Sequence, residues 1–203
     1  MTLNPAPYTL SGMAFEDFET KESVVLVYTG DGKGKTSASV GLLARALGSD
    51  WKVAYVQFVK TWETGESKFI DQGGEAKVFG DKLFYFRGGK GFYNAGDISA
   101  KGVTDAEHKK AALDTFNIAI EKATSGDWDL VICDEINNSV HDGLLPKSSL
   151  QKLLTKRSPK TSICVTGRNF PKELLKYTDI ATDMTKIKHH FDDKFLANKG
   201  IDY

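Results

Sequence analysis

The sequence has no surplus of charge of either sign. Lysine plus arginine and aspartate plus glutamate both number 27, so no global field gathers nucleic acid or coats an anionic membrane. Any anion site has to be local. Cysteine is scarce: Cys133 and Cys164 each lie inside an apolar run and outside any CxxC or other metal-ligand spacing, which reads as buried reduced thiols. No apolar run reaches the length of a membrane span. Residues 1–22, with Pro5, Pro7, Gly12 and the acidic Glu16, Asp17 and Glu19, lack the basic start and continuous apolar stretch of a signal peptide. These absences point to the cytoplasm, with neither a nucleic acid nor a membrane as partner. Internal repeats and low-complexity tracts are also missing, and 203 residues call for one core. The expected organisation is a single domain over residues 23–203, preceded by an extension, 1–22, that is either flexible or covers the site.

What is present is an alternation of strands and helices. Val24 to Tyr28 is a β-branched run ending at Gly30, as expected of a strand buried on both faces. From Ser37 a helical stripe of Val40, Leu43, Ala44 and Leu47 follows, with Gly48 just past its end. Val53 to Phe58 reads as the next strand, and Lys77 to Phe79 and Leu83 to Phe86 as weaker ones. The glycines from Gly88 to Gly96 mark a long irregular loop. A helix opens at Thr104 with a capping box to Glu107, carries Leu113, Phe116, Ile120 and Ala123 on one face, and stops at Gly126. Further strands are expected at Leu130 to Cys133 and Ser162 to Thr166, and helices at Leu150 to Lys156 and Pro171 to Tyr177. This order predicts an α/β fold of the P-loop NTPase, RecA-like kind: a mainly parallel sheet with helices on both faces.

Chemistry concentrates after the first strand. In Thr29-Gly30-Asp31-Gly32-Lys33-Gly34-Lys35-Thr36-Ser37, successive backbone N–H groups between a strand and a helix can wrap a phosphate. Lys35 supplies a point charge to phosphate oxygens, and the Thr36 hydroxyl is a ligand for Mg²⁺. The usual first glycine of such a loop is replaced by Thr29. Lys33 adds a second cation, while Asp31 has to point away from the phosphates or be compensated. Asp134 and Glu135, at the end of an apolar run, are the expected acidic partners for Mg²⁺, because strand carboxyl ends share one crevice in a parallel sheet. These parts alone fit phosphoryl transfer, by a P-loop ATPase or a small-molecule kinase.

The rest of the chain argues otherwise. Val56-Gln57-Phe58-Val59-Lys60 with Trp62, Gly65 and Glu66, then Asp134-Glu135, Thr166-Gly167-Arg168, Lys188-His189-His190-Phe191-Asp192 and Lys199-Gly200-Ile201-Asp202-Tyr203 follow the loop in order. Together these closely resemble the ATP:corrinoid adenosyltransferases of the bacterial cobalamin pathway, over nearly everything from Val24 to Tyr203. The resemblance implies that a Co(I) corrinoid attacks the 5′ carbon of ATP and releases triphosphate, with Lys35, Glu135 and Phe92 as catalytic residues. It also implies ATP held in reverse of the usual P-loop direction, a reductant such as a flavoprotein, and a homodimer. Phe92, Tyr93, Trp62, Gly167 and Arg168 are the residues it brings to the corrinoid. Relatives carry a Trp where Asn94 stands here, which leaves the lower corrin face to Phe92 with Tyr93 or Trp62. His189 and His190 are adjacent and so cannot share a face as metal ligands; they are expected to pack on or bond to the closing segment. A non-catalytic carrier of nucleotide and corrinoid is the remaining alternative.

Overall fold

A computed structural model of the chain describes residues 18–75, 78–91, 93 and 100–203. Six strands form one sheet: β1 (Val25–Thr29), β2 (Val53–Gln57), β3 (Leu83–Arg87), β4 (Leu130–Asp134), β5 (Ser162–Thr166) and β6 (Ile180–Asp183). Every pairing is parallel, in the order β3-β2-β4-β5-β1-β6. All residues of β2, β4 and β5 are buried, which is why these segments read as continuous apolar runs instead of alternating ones.

Helices cover both faces. On one face α1 (Lys35–Gly48) and α2 (Gly65–Glu75) place Leu43, Ala46 and Ile70 against Tyr55, Leu130 and Ile132. On the other, α3 (Asp105–Ser125) and α5 (Lys147–Lys156) pack Phe116, Ala119, Leu150 and Leu153 against Val56, Val131 and Val165. Between β4 and α5 lies the short α4 (Ile136–His141). Both cysteines are free and buried, and burial pushes their thiols up, out of reach of ionisation at neutral pH.

The start and stop of α3 match the sequence reading. The Thr104 hydroxyl accepts from Glu107 N at 3.3 Å, the Glu107 carboxylate accepts from Thr104 N at 2.8 Å, and Gly126 closes the helix with φ 80°. Its buried face differs. His108, Ala112, Thr115, Phe116, Ala119 and Ala123 turn inward while Leu113 is 48% exposed, because a stripe rich in alanine lets the helix axis approach the sheet closely, and bulkier residues are left at its edge.

Other expectations are corrected. Val78 and Phe79 lie in a bend before a 3-10 turn, Gly80–Lys82, and not in a strand; Lys77 lies outside the described residues. Gly48 is the last residue of α1, with Ser49 as its cap. Lys172–Tyr177 is a 3-10 helix. Two helices and a strand were not anticipated. α2 holds three glycines, α4 is six residues long, and β6 is exposed along its whole length, so none leaves a strong periodic signal.

Candidate functional site

The carboxyl ends of the parallel strands share one edge of the sheet, and the polar residues gather there. Between β1 and α1 the chain makes a tight loop, Gly30 to Gly34, with φ 101° at Gly30 and 104° at Gly34. A Cβ on Gly30 would stand 2.1 Å from Asp183 Oδ1, and one on Gly32 would stand 2.5 Å from Met184 O. Glycine is therefore needed for close approach as well as for torsion. The segment after β6 lies directly over the loop, and Gly32 N donates to Met184 O at 2.6 Å.

Lys35 is the buried first residue of α1. Its Nζ donates to Gly30 O at 2.7 Å and to Gly32 O at 2.5 Å. Burial pulls its ammonium below the ordinary lysine range, partly offset by the Glu135 carboxylate. An anion bound in the loop reverses that pull, since it favours the charged form. Lys33 pairs with Asp202 at 2.6 Å, so the closing Gly-Ile-Asp-Tyr segment reaches the glycine-rich loop. Asp31 is exposed and stands 3.9 Å from the Arg168 guanidinium. Thr29 Oγ1 accepts from Phe170 N at 3.2 Å, and Ser37 is exposed in the first turn of α1.

Asp134 is the hub. Fully buried at the end of β4, it accepts from Thr36 Oγ1 at 3.1 Å, Thr166 Oγ1 at 2.7 Å and Gln57 Nε2 at 3.1 Å. The Gln57 amide is itself oriented by Tyr85, whose hydroxyl donates to Oε1 at 2.6 Å. Four elements thus converge on one carboxylate: β2, β4, β5 and the start of α1. Glu135 follows with left-handed backbone, φ 65°, its N–H donating to Thr166 Oγ1 at 2.9 Å and its carboxylate accepting from Asn138.

Burial, then the neighbouring Asp134 charge, push the Glu135 carboxyl from 4.5 up to about 7. A carboxyl raised on folding stabilises the fold while protonated. That contribution is whole below pH 4.5 and is lost as pH rises through 7. Glu135→Gln cannot ionise, so its melting temperature is expected to gain on the wild type as buffers go from about pH 5 to about pH 8. A difference that stays constant across that range contradicts the assignment.

The structure brings Lys60 into the centre of this edge. Val59 has φ 69°, a strained conformation for a β-branched residue, and it folds the chain back at the end of β2. Lys60 Nζ lies 3.1 Å from Glu66 Oε1, 3.5 Å from Asp134 Oδ2 and 3.5 Å from Thr36 Oγ1. Burial pulls this ammonium down, but Asp134 and Glu66 outweigh it and leave it above the ordinary lysine value. Burial likewise pushes the Glu66 carboxyl up, but the Lys60 charge together with hydrogen bonds from the backbone, Thr64 and Lys60 leaves it below the ordinary carboxylate range. Gln57 and Thr166 each end a wholly buried strand, a local signal for a polar site residue, whereas Lys60 carries none beyond its place in the motif at residues 56–60.

Gly167 and Arg168 leave β5 beside the same edge. Asn137 Nδ2 donates to Gly167 O at 3.1 Å and Arg168 N donates to Asn138 Oδ1 at 2.7 Å, with the guanidinium 60% exposed. Tyr93 packs its ring 5.1 Å from that of His108 on α3, and Trp62 is half-buried after β2. Phe92 and Asn94 lie outside the described residues. His190 Nε2 is 3.5 Å from Asp202, against the closing segment as expected.

The donor set suits Mg²⁺. Among the described residues no three His, Cys, Asp or Glu side chains cluster as a metal cage, but Mg²⁺ is ordinarily held by one or two carboxylates together with substrate phosphates. The Thr36 hydroxyl and Asp134 supply hard oxygens at the loop, and the place between them already attracts a cationic ammonium.

Comparison with known proteins bears on the rest of the chain. A family model described as "ATP:corrinoid adenosyltransferase BtuR/CobO/CobP" matches residues 21–203. The chain is 30% identical over 184 residues to a corrinoid adenosyltransferase of Pseudomonas aeruginosa, covering 90% of this chain and 85% of the relative. It is 28% identical over 187 residues to the corrinoid adenosyltransferase CobA of Salmonella typhimurium, covering 91% and 88%. Among solved structures, a KaiC-like protein of Pyrococcus horikoshii superposes with a TM-score of 0.49 at 13% identity, over 80% of this chain and 73% of that one.

Proposed function

This chain belongs to the ATP:corrinoid adenosyltransferase family, and from that premise we propose that the edge built by Lys35, Thr36, Lys60 and Asp134 holds ATP for transfer of its 5′-deoxyadenosyl group to a Co(I) corrinoid. The chain is a transferase. The observation that carries the reading is the extent of the family match, which spans the phosphate loop, Asp134-Glu135, Thr166-Gly167-Arg168 and the closing segment, pieces that the fold gathers at one edge of the sheet. In the reaction a cobalt–carbon bond forms at the 5′ carbon, the carbon–oxygen bond breaks, and the electron pair leaves on triphosphate. No protein nucleophile is required, because reduced cobalt is one.

The protein's part is electrostatic. Lys35, Lys33 and the loop amides face the tail on which negative charge grows, and one well-placed donor of this kind contributes about 3 kcal/mol to a transition state. Thr36 and Asp134, with Glu135 beside them, would hold Mg²⁺, which neutralises phosphate charge when bound. Within the same proposal Phe92, Tyr93 and Trp62 face the lower side of the corrin. Gly167 and Arg168 meet its side-chain amides or a phosphate. Production of Co(I) needs a strong reductant such as a flavoprotein, which favours the cytoplasm, and the assembly is a homodimer.

The test is anaerobic incubation with ATP and a chemically reduced corrinoid. The expected products are an adenosylated corrinoid and intact triphosphate, read by absorbance and phosphorus NMR. Detection of only ADP and phosphate would remove the reading.

A further inference from the structure

We propose that Lys60 is an internal stand-in for the divalent cation, closing the metal position until nucleotide arrives, so that metal enters only together with phosphates. The inference rests on the nucleotide reading above and gives Lys60 a task beyond lining the ATP edge.

Three distances carry it. Lys60 Nζ lies 3.5 Å from Thr36 Oγ1 and 3.5 Å from Asp134 Oδ2, the two groups that would ligate the ion, and 3.1 Å from Glu66 Oε1. A dication and an ammonium cannot both occupy that place. The Lys60 side chain is only 14% exposed, Glu66 19% and Asp134 0%, so water screens the repulsion between them poorly. Metal arriving alone would have to displace the ammonium from two carboxylates and offer it nothing in return. Metal arriving with a polyphosphate brings compensating anions, to which the displaced ammonium can turn.

The backbone holds this arrangement in place. Val59 takes left-handed torsion, its carbonyl accepts from Gly91 N at 2.9 Å, and Lys60 N donates to Phe58 O at 2.7 Å. A strained β-branched residue persists only where its surroundings over-determine it, and here the turn sends the Lys60 side chain back over the sheet edge and not out to solvent. The turn also ties the metal position to the loop that leads to Phe92 and Tyr93.

The experiment is Mn²⁺ binding by electron paramagnetic resonance, to the full-length protein and to Lys60→Met, each with and without ATP. The wild type should bind Mn²⁺ weakly alone and much more tightly with ATP. Lys60→Met should bind Mn²⁺ alone at least roughly tenfold more tightly than the wild type, and magnesium alone should raise its melting temperature. Lys60→Gln keeps a hydrogen-bond donor but loses the charge, so it serves if the methionine variant does not fold, and the same gain is required of it. Unchanged affinity for free Mn²⁺ in both variants, with normal uptake of Mn·ATP by the wild type, overturns the proposal and spares the nucleotide reading. Failure of the wild type to take up Mn·ATP overturns the nucleotide reading instead, while tighter free Mn²⁺ in the variants would still support the stand-in role.

Discussion

Lys35→Ala is expected to lose turnover by on the order of 10²–10³-fold, the usual consequence of removing one pre-organised electrostatic donor, together with most of its affinity for ATP. The side chain does two jobs. Its Nζ ties Gly30 O and Gly32 O together at 2.7 and 2.5 Å, holding the loop closed around the place where phosphates would lie. It is also a buried cation that burial disfavours, so it gains free energy when an anion arrives. Lys35→Arg keeps the charge but not the compact ammonium that fits between two carbonyls, and should recover little. Calorimetric titration of ATP and steady-state assay with a Co(I) corrinoid check both points. ATP affinity close to that of the wild type in Lys35→Ala would place the phosphates elsewhere.

Asp134→Ala should have the largest effect on stability. The carboxylate accepts from Thr36, Thr166 and Gln57 and faces Lys60, and none of these partners has another carboxylate as well placed except Lys60, which keeps Glu66. Removing one member of a buried ion pair typically costs about 3–5 kcal/mol, because the remaining groups stay buried and unsatisfied. Urea denaturation should show a fall of that order, along with loss of metal–nucleotide binding. Asp134→Asn retains an acceptor and should cost clearly less stability while abolishing metal binding. A loss in Asp134→Ala below about 1 kcal/mol, the level of an ordinary exposed pair, would show that the carboxylate is not the keystone described.

The two variants probe different aspects of legibility. Lys35 could be read directly, since its neighbours in sequence are also its neighbours in space: a β-branched run, a glycine-rich turn and a helix lie within one βα unit. The same holds for the capping box of Thr104 and Glu107 and for the continuous apolar strands β2, β4 and β5. Where helix periodicity is diluted, the pattern is less legible: in α3 Phe116 and Ala123 face the core as expected while Leu113 does not, and α2, with its glycines, leaves no clear stripe.

Asp134 could be read as an acidic residue at a strand end, but not as a hub. Its partners lie 98, 77, 32 and 74 residues away along the chain. The sequence by itself determined the glycine-rich strand–loop–helix unit, the parallel α/β layering and the family, because these depend on local pattern and on ordered motifs. Only the tertiary structure decided that β4 and β5 lie between β2 and β1, that Lys60 turns back onto Thr36 and Asp134, and that Met184 and Asp202 close over the loop. Strand order and long-range closure come from how the sheet packs as a whole, and no short window of residues encodes them.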